Sequence, residues 1–152
     1  MIRITMVVDG VPMEAVVDPG ETLLPVLRRL GAASVKNGCD NGDCGSCAVL
    51  LDGRAVNACL VFTAHADGRA VTTVEGLIDL HPVQRTMLDM GGIQCGFCTP
   101  GMVMLAVDLL EHSADLDEDR VRDALAGNYC RCTGYVKQVE AILAAAEERG
   151  DE

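Results

Sequence analysis

Eight cysteines divide into two groups of four, and their spacing restricts this chain more than any other feature. The first group is Cys39-x4-Cys44-x2-Cys47, with Cys59 after eleven intervening residues. The second is Cys95-x2-Cys98, then 31 intervening residues, then Cys130-x-Cys132. At 152 residues, a chain can bury roughly 68–70% of its unfolded surface, so it needs no covalent staples. No stretch approaches the ~20 apolar residues of a membrane span. The start, MIRITMVVDG, alternates and lacks the charged-then-apolar layout of a signal peptide. The expected location is cytoplasmic, a reducing compartment that disfavours disulfides. Metal binding, redox chemistry or inert burial are left to account for the thiols.

Charge narrows the partners. The net charge is −11, with no Trp, 2 Tyr and 2 Phe. A nucleic-acid surface would concentrate Lys and Arg and offer aromatic stacking platforms, so no nucleic-acid partner is expected.

Hydrophobic periodicity divides the chain into two halves. Ile2, Ile4, Met6 and Val8 share one face of a strand, and Asp9-Gly10 is a hairpin turn pair. Pro12 admits a second strand at about Glu14–Val17. Leu23, Leu24, Leu27 and Leu30 fit a helix with Thr22 as N-cap, Pro25 in the first turn and Gly31 at the C-cap. Residues 36–47 have no periodicity and form a loop. Ala48–Leu51, Asp52-Gly53 and Arg54–Cys59 read as a second hairpin, and Ala70–Val74 as a last short strand. Helical signals then take over. One helix starts near Pro82 and ends at Gly91-Gly92. Another opens at Thr99-Pro100 with Met102, Val103, Leu105, Ala106, Leu109 and Leu110 as an apolar stripe. Asp117 caps a third over Glu118–Ala126. The last spans Gly134–Glu148, burying Val136, Val139, Ile142, Leu143 and Ala146. A β-rich half before a helical half predicts an α+β chain, divided at residues 1–76 and 77–152.

The C-x4-C-x2-C…C spacing of the first group is the plant-type [2Fe-2S] pattern. A cluster held by four thiolates is an anion and needs backbone N–H groups aimed at its sulfurs. Gly38, Gly42 and Gly45 let the loop close around it without Cβ clashes. Cys59, placed on a strand after the hairpin, returns the fourth ligand. The second group lies at helix ends, where free N–H groups and the dipole favour thiolates. Facing helix ends could gather these four ligands around an anionic cluster, and a structural zinc site stays open, although a one-residue gap is unusual for zinc. A thioredoxin-like Cys95-x2-Cys98 lacks the flanking βα pattern. His65, His81 and His112 lie outside both groups and read as surface or capping residues. Met102 and Met104 read as core filling. Arg131, between two cysteines, is open between offsetting cluster charge and simple solvation.

The stretches GCDNGDCGSCAVLLDGRAVNACL (38–60), HPVQ (81–84), GGIQCGFCTPGM (91–102) and GNYCRCTGY (127–135) resemble the iron–sulfur subunit of the molybdenum hydroxylases, the xanthine dehydrogenase, aldehyde oxidoreductase and carbon monoxide dehydrogenase family. The resemblance covers nearly the whole chain. It implies a β-grasp ferredoxin-like domain with a [2Fe-2S] cluster on Cys39, Cys44, Cys47 and Cys59. It further implies a four-helix bundle with a second cluster on Cys95, Cys98, Cys130 and Cys132. In the family the second cluster lies near the molybdopterin, expected as the cytosine dinucleotide, and Gln94 and Cys132 match the positions that approach it. Electrons would pass from molybdenum through the second cluster and the first to FAD or another acceptor. The chain has no room for flavin or molybdenum domains. The resemblance therefore implies a large molybdenum-binding subunit and a medium FAD-binding subunit in a heterotrimer, itself open to dimerisation, or a heterodimer without flavin. On this expectation the chain alone performs no substrate chemistry. A free-standing two-cluster ferredoxin and a zinc-stabilised interaction module are the competing expectations.

Overall fold

A computed structural model describes residues 1–113 and 115–150, so residues 114, 151 and 152 of the expected second domain lie outside the described residues. Strand β1 (Ile2–Val8) buries Ile4, Met6 and Val8 and exposes the residues between them. Asp9 (φ 50°) and Gly10 (φ 79°) form the hairpin turn, and β2 (Val11–Val17) returns antiparallel with Val11 opposite Val8. β2 starts before the expected Glu14 and contains Pro12. It lies at the edge of the sheet, where a missing N–H breaks no ladder. Helix α1 (Leu23–Arg29) follows a turn in which Asp18 Oδ1 accepts from the Gly20 N–H at 2.9 Å. Thr22 is the residue before α1, as expected, but its side chain makes no cap hydrogen bond, and its backbone bridges to Phe62 instead.

β3 (Ala48–Leu51) and β4 (Arg54–Asn57) form the second hairpin, turned by Asp52 and Gly53 at positive φ. β4 ends earlier than expected. Cys59 therefore sits in the turn beyond the strand, with the Ala58 N–H donating to the Cys47 carbonyl at 3.2 Å and the Ala58 carbonyl accepting from Leu24. Thr63–Ala66 forms a 3-10 turn that the hydrophobic pattern does not show. β5 (Ala70–Thr72) runs parallel to β1 and antiparallel to β3, completing the sheet order β2-β1-β5-β3-β4. The expected strand to Val74 stops at Thr72. Thr73 is drawn to Asp9, donating through its N–H at 2.6 Å and its hydroxyl at 2.8 Å, and a 3-10 turn follows at Val74–Gly76.

Helices α2 (Pro82–Asp89), α3 (Thr99–His112), α4 (Glu118–Leu125) and α5 (Val136–Gly150) fill the second half. His81 caps α2: its Nδ1 accepts from the Val83 N–H at 3.3 Å, while Gln84 Oε1 accepts from the His81 N–H at 2.8 Å. This reciprocal cap fixes the helix start. Asp117 caps α4, accepting from the Arg120 N–H at 2.8 Å. α5 buries Gln138, Val139, Ala141, Ile142 and Ala145, whereas Val136, expected in the stripe, is 49% exposed. The helix begins one residue after Tyr135 (φ 70°), and that start turns Val136 outward.

Two apolar cores result, and β3 borders both. Val49 and Leu51 join Leu23, Leu24 and Leu27 of α1, while Ala48 and Leu50 join Met102, Val103 and Ala106 of α3. Successive side chains of a strand face opposite sides, so one four-residue strand seals two cores.

Candidate functional site

Residues 30–47 link α1 to β3 without helix or strand, and 36–47 are the cysteine loop. Asp40, Gly42 and Gly45 all take positive φ there, which curls the loop and turns successive N–H groups inward. The Cys44 N–H points at Cys39 Sγ from 3.4 Å. Burial pulls the Cys39 thiol up, but the N–H groups of Asn41, Cys44 and Asp43 outweigh it and bring it down to about 7. Cys59 behaves oppositely. Burial pushes it up to about 12, and the neighbouring Cys47 and Cys39 sulfurs add to the rise. The structure thus brings all four cysteines of the first group to one place.

All three loop glycines stand at a close approach. A Cβ on Gly38 would lie 2.8 Å from Cys44 Sγ, inside the space where sulfurs gather. A Cβ on Gly45 would lie 2.4 Å from the Gly127 carbonyl oxygen, which is contact with the second loop rather than with the thiols. Gly42 (φ 88°) faces Leu60 in the turn that carries Cys59.

The second group assembles from two segments. Cys98 is the N-cap residue of α3, and Cys130 and Cys132 lie in the turn between α4 and α5. Burial pushes Cys98 up to about 12, helped by Cys130 and Cys95. For Cys130, burial pulls upward, but the Thr133 hydroxyl and the N–H groups of Cys132 and Thr133 bring it down to about 7. Cys132 is raised chiefly by its contact with Cys95. The Cys130 N–H donates to the Tyr135 hydroxyl at 2.8 Å. All four thiols of this group therefore face one another too. Cys95, Cys132 and Gln94 are exposed, whereas Cys98 is buried.

The two loops are stitched together by bonds invisible to sequence periodicity. The Tyr129 N–H donates to the Cys44 carbonyl at 2.9 Å. The buried Asn128 donates from Nδ2 to the Gly45 carbonyl at 3.1 Å. A Cβ on Gly101, in the first turn of α3, would lie 2.3 Å from the Gly45 carbonyl oxygen. Asn128, Thr133 and Gln138 were missed in the sequence. Their one signal is polarity next to cysteine, and Asn128 meets its partner across 83 residues of chain.

The donor sets fit iron–sulfur chemistry. Thiols that oppose one another's ionisation are held together as thiolates by a cation among them, since a bound metal inverts the local pKa order. Among the described residues, no three His, Cys, Asp or Glu side chains group around a point suited to one metal ion. A [2Fe-2S] group spreads four thiolates over two irons, so it needs no such trio. The histidines stand apart from the cysteines: His81 caps α2, His65 packs edge-on against Phe62, and His112 contacts Asp108. Met102 and Met104 are fully buried in the second core. Arg131 is exposed and makes no ion pair among the described residues.

Comparison with known proteins converges on the same chemistry. Residues 6–72 match the family described as a 2Fe-2S iron-sulfur cluster binding domain. Residues 73–143 match a second family, the [2Fe-2S] binding domain. The chain is 42% identical to the nicotine 6-hydroxylase small subunit of Paenarthrobacter nicotinovorans, over 99% of this chain and 93% of the relative. It is 41% identical to the xanthine dehydrogenase iron-sulfur-binding subunit of Escherichia coli O157:H7, over 93% and 92%. The structure superposes on the aldehyde oxidoreductase of Desulfovibrio gigas with a TM-score of 0.92 and 42% identity, covering 100% of this chain and 18% of that one. Among the described residues, a mixed five-stranded sheet and five helices carry the two segments matched to [2Fe-2S] binding families. The chain belongs to the iron–sulfur small subunits of the molybdenum hydroxylase family, the electron-transfer components of these oxidoreductases.

Proposed function

We propose that Cys39, Cys44, Cys47 and Cys59 hold one [2Fe-2S] cluster and that Cys95, Cys98, Cys130 and Cys132 hold the other. The observation that carries this reading is the convergence of eight thiols into two mutually interacting sets, with none left over. When bound, the clusters supply one-electron carriage between a molybdenum centre and FAD or another acceptor. The chain's own part is to aim N–H donors at the sulfurs, exclude water from Cys47, Cys59 and Cys98, and hold the two loops in register through Tyr129 and Asn128.

Residues 1–76 form a β-grasp ferredoxin-like domain in this reading, and residues 77–152 a four-helix bundle. The two matched families and the two apolar cores support that division. The exposed Cys95, Cys132 and Gln94 supply the edge presented to a molybdopterin, as its cytosine dinucleotide, in a large partner subunit. A medium subunit would carry FAD, giving a cytoplasmic heterotrimer. Relatives named as small subunits and as a member of a dehydrogenase complex support separate partners. No helix among the described residues is long and apolar enough to cross a membrane.

Purified complex should contain four irons and four acid-labile sulfides per copy of this chain, with two reducible EPR-active centres. A colourless, zinc-containing protein, or half that iron, would sink the assignment.

A further inference from the structure

The second loop holds a buried polar side chain with no part yet in the chemistry. Gln138, in the first turn of α5, is 1% exposed. Its neighbours form a short relay. Thr133 Oγ1 lies 2.8 Å from Gln138 Oε1 and 3.0 Å from Cys130 Sγ. Gln138 Nε2 lies 3.8 Å from the same sulfur. The Tyr135 N–H donates to Thr133 Oγ1 at 3.3 Å and holds the hydroxyl oxygen in place.

Hydrogen counting decides what this relay does. The Thr133 hydroxyl has one hydrogen and cannot give it to both neighbours. With Cys130 a thiol, its S–H donates to Thr133 Oγ1, and the hydroxyl donates to Gln138 Oε1. Metal ligation removes the thiol proton and leaves the sulfur an acceptor. The hydroxyl hydrogen then turns to the sulfur. A half-turn of the Gln138 amide, whose N and O have near-equal shapes, brings Nε2–H to the hydroxyl oxygen, so the sulfur exchanges a long N–H contact at 3.8 Å for the closer hydroxyl at 3.0 Å.

We propose that Gln138 is a positioning residue for the second cluster: by donating to Thr133, it commits the Thr133 hydroxyl to the Cys130 sulfur and raises the reduction potential of that centre. A hydrogen bond to a ligand sulfur favours the reduced, more negative state, and hydrogen bonding to sulfur is one of the protein's main controls on potential. The inference rests on Cys130 being a ligand. The first loop has no counterpart, because Cys39 is served by backbone groups and by Cys44.

The test is an EPR-monitored redox titration of the intact complex, reading both centres. Gln138→Leu should lower the second midpoint potential and leave the first unmoved. Gln138→Glu, titrated at a pH alkaline enough to ionise a carboxyl raised by burial beside the sulfur, should lower it further, since a carboxylate only accepts and draws the hydroxyl hydrogen away from sulfur. About a tenfold change in the one-electron equilibrium, about 59 mV, is expected for Gln138→Glu. Thr133→Ser should retain the wild-type value, and Thr133→Val should fall with Gln138→Leu. The proposal is overturned if both Gln138 variants keep the second potential, if both centres shift equally, or if Glu falls no further than Leu. Should Gln138→Leu fail to load iron, Gln138→Met replaces it, and equal potentials in Thr133→Ser and Thr133→Val also overturn the proposal. Cys130→Ala separates the two levels. Retention of the second centre in that variant removes the ligand assignment itself, whereas its loss beside unmoved Gln138 potentials removes only the relay.

Discussion

The loop at 36–47 and the turn at 127–135 face the same electrostatic demand and meet it with different material. In the first, three backbone N–H groups and the Cys44 side chain bring Cys39 down to about 7. In the second, the Thr133 hydroxyl heads the groups that bring Cys130 to the same value. Each then has a buried partner thiol, Cys59 or Cys98, pushed up to about 12. A backbone nest is fixed by conformation and changes only when a glycine or the loop path changes. A side-chain network changes with single substitutions. The second centre is therefore the adjustable one of the pair.

The contrast can be broken most severely by deleting a ligand. Cys59→Ala should remove the first centre and leave the second, halving iron per chain. Cys132→Ala should do the reverse and also slow electron delivery to the flavin more than it alters substrate binding. Metal analysis and rapid-mixing reduction of the flavin check both, and flavin reduction at the wild-type rate would count against the role of Cys132.

Thiol reactivity sharpens the comparison next. In iron-free chain near neutral pH, the lowered thiols of Cys39 and Cys130 are substantially ionised, whereas Cys59 and Cys98, pushed up to about 12, stay protonated. Alkylation followed by mass spectrometry should therefore label Cys39 and Cys130 first and Cys59 and Cys98 last. The sign with pH follows from the lowered values. Thiolate at Cys39 and Cys130 is present above about 7 and lost below it. Their labelling should fall as pH drops from 8 to 6. Uniform labelling of all eight would show that the loops do not persist without metal.

Smaller effects fall where the loops touch. Gly45→Ala adds a Cβ 2.4 Å from a carbonyl oxygen at positive φ, and about 3 kcal/mol of stability should be lost. Gly10→Ala, at similar φ with nothing within 4 Å, should cost about 1 kcal/mol. Asn128→Ala removes the side-chain donor to the Gly45 carbonyl, which keeps the Ala48 N–H at 3.1 Å, and should cost about 1 kcal/mol. Chemical denaturation of the loaded protein measures all three. Equal losses for Gly45 and Gly10 would show that φ, not the inter-loop contact, sets the cost.

Much of this was readable in the residues, and the failures share a cause. Asp9-Gly10 and Asp52-Gly53 announced two hairpins because positive φ at successive positions is a local demand that Asp-Gly meets. Cysteine spacing sorted the thiols into the two sets that the structure assembles. What failed was non-local. Cys59 left the strand because Leu24 and Cys47 hold the turn around Ala58. Thr73 left β5 for Asp9, 64 residues away. Gln138 and Asn128 look like surface residues until the chain folds over them. One missed signal was available: the unbroken apolar run Ala48–Leu51 does not alternate, and such a run marks a strand covered on both faces.

That strand has a consequence for dissecting the molecule. Cutting the chain at residue 76 would sever nothing covalent within the sheet. It would, however, strip α3 from Ala48 and Leu50 and leave an apolar flank open beside the short edge strand β4. A fragment of the first half should self-associate through that flank, and the second half should lose the wall against which α3 sets. The two cluster-binding segments are separable as text and inseparable as solutes.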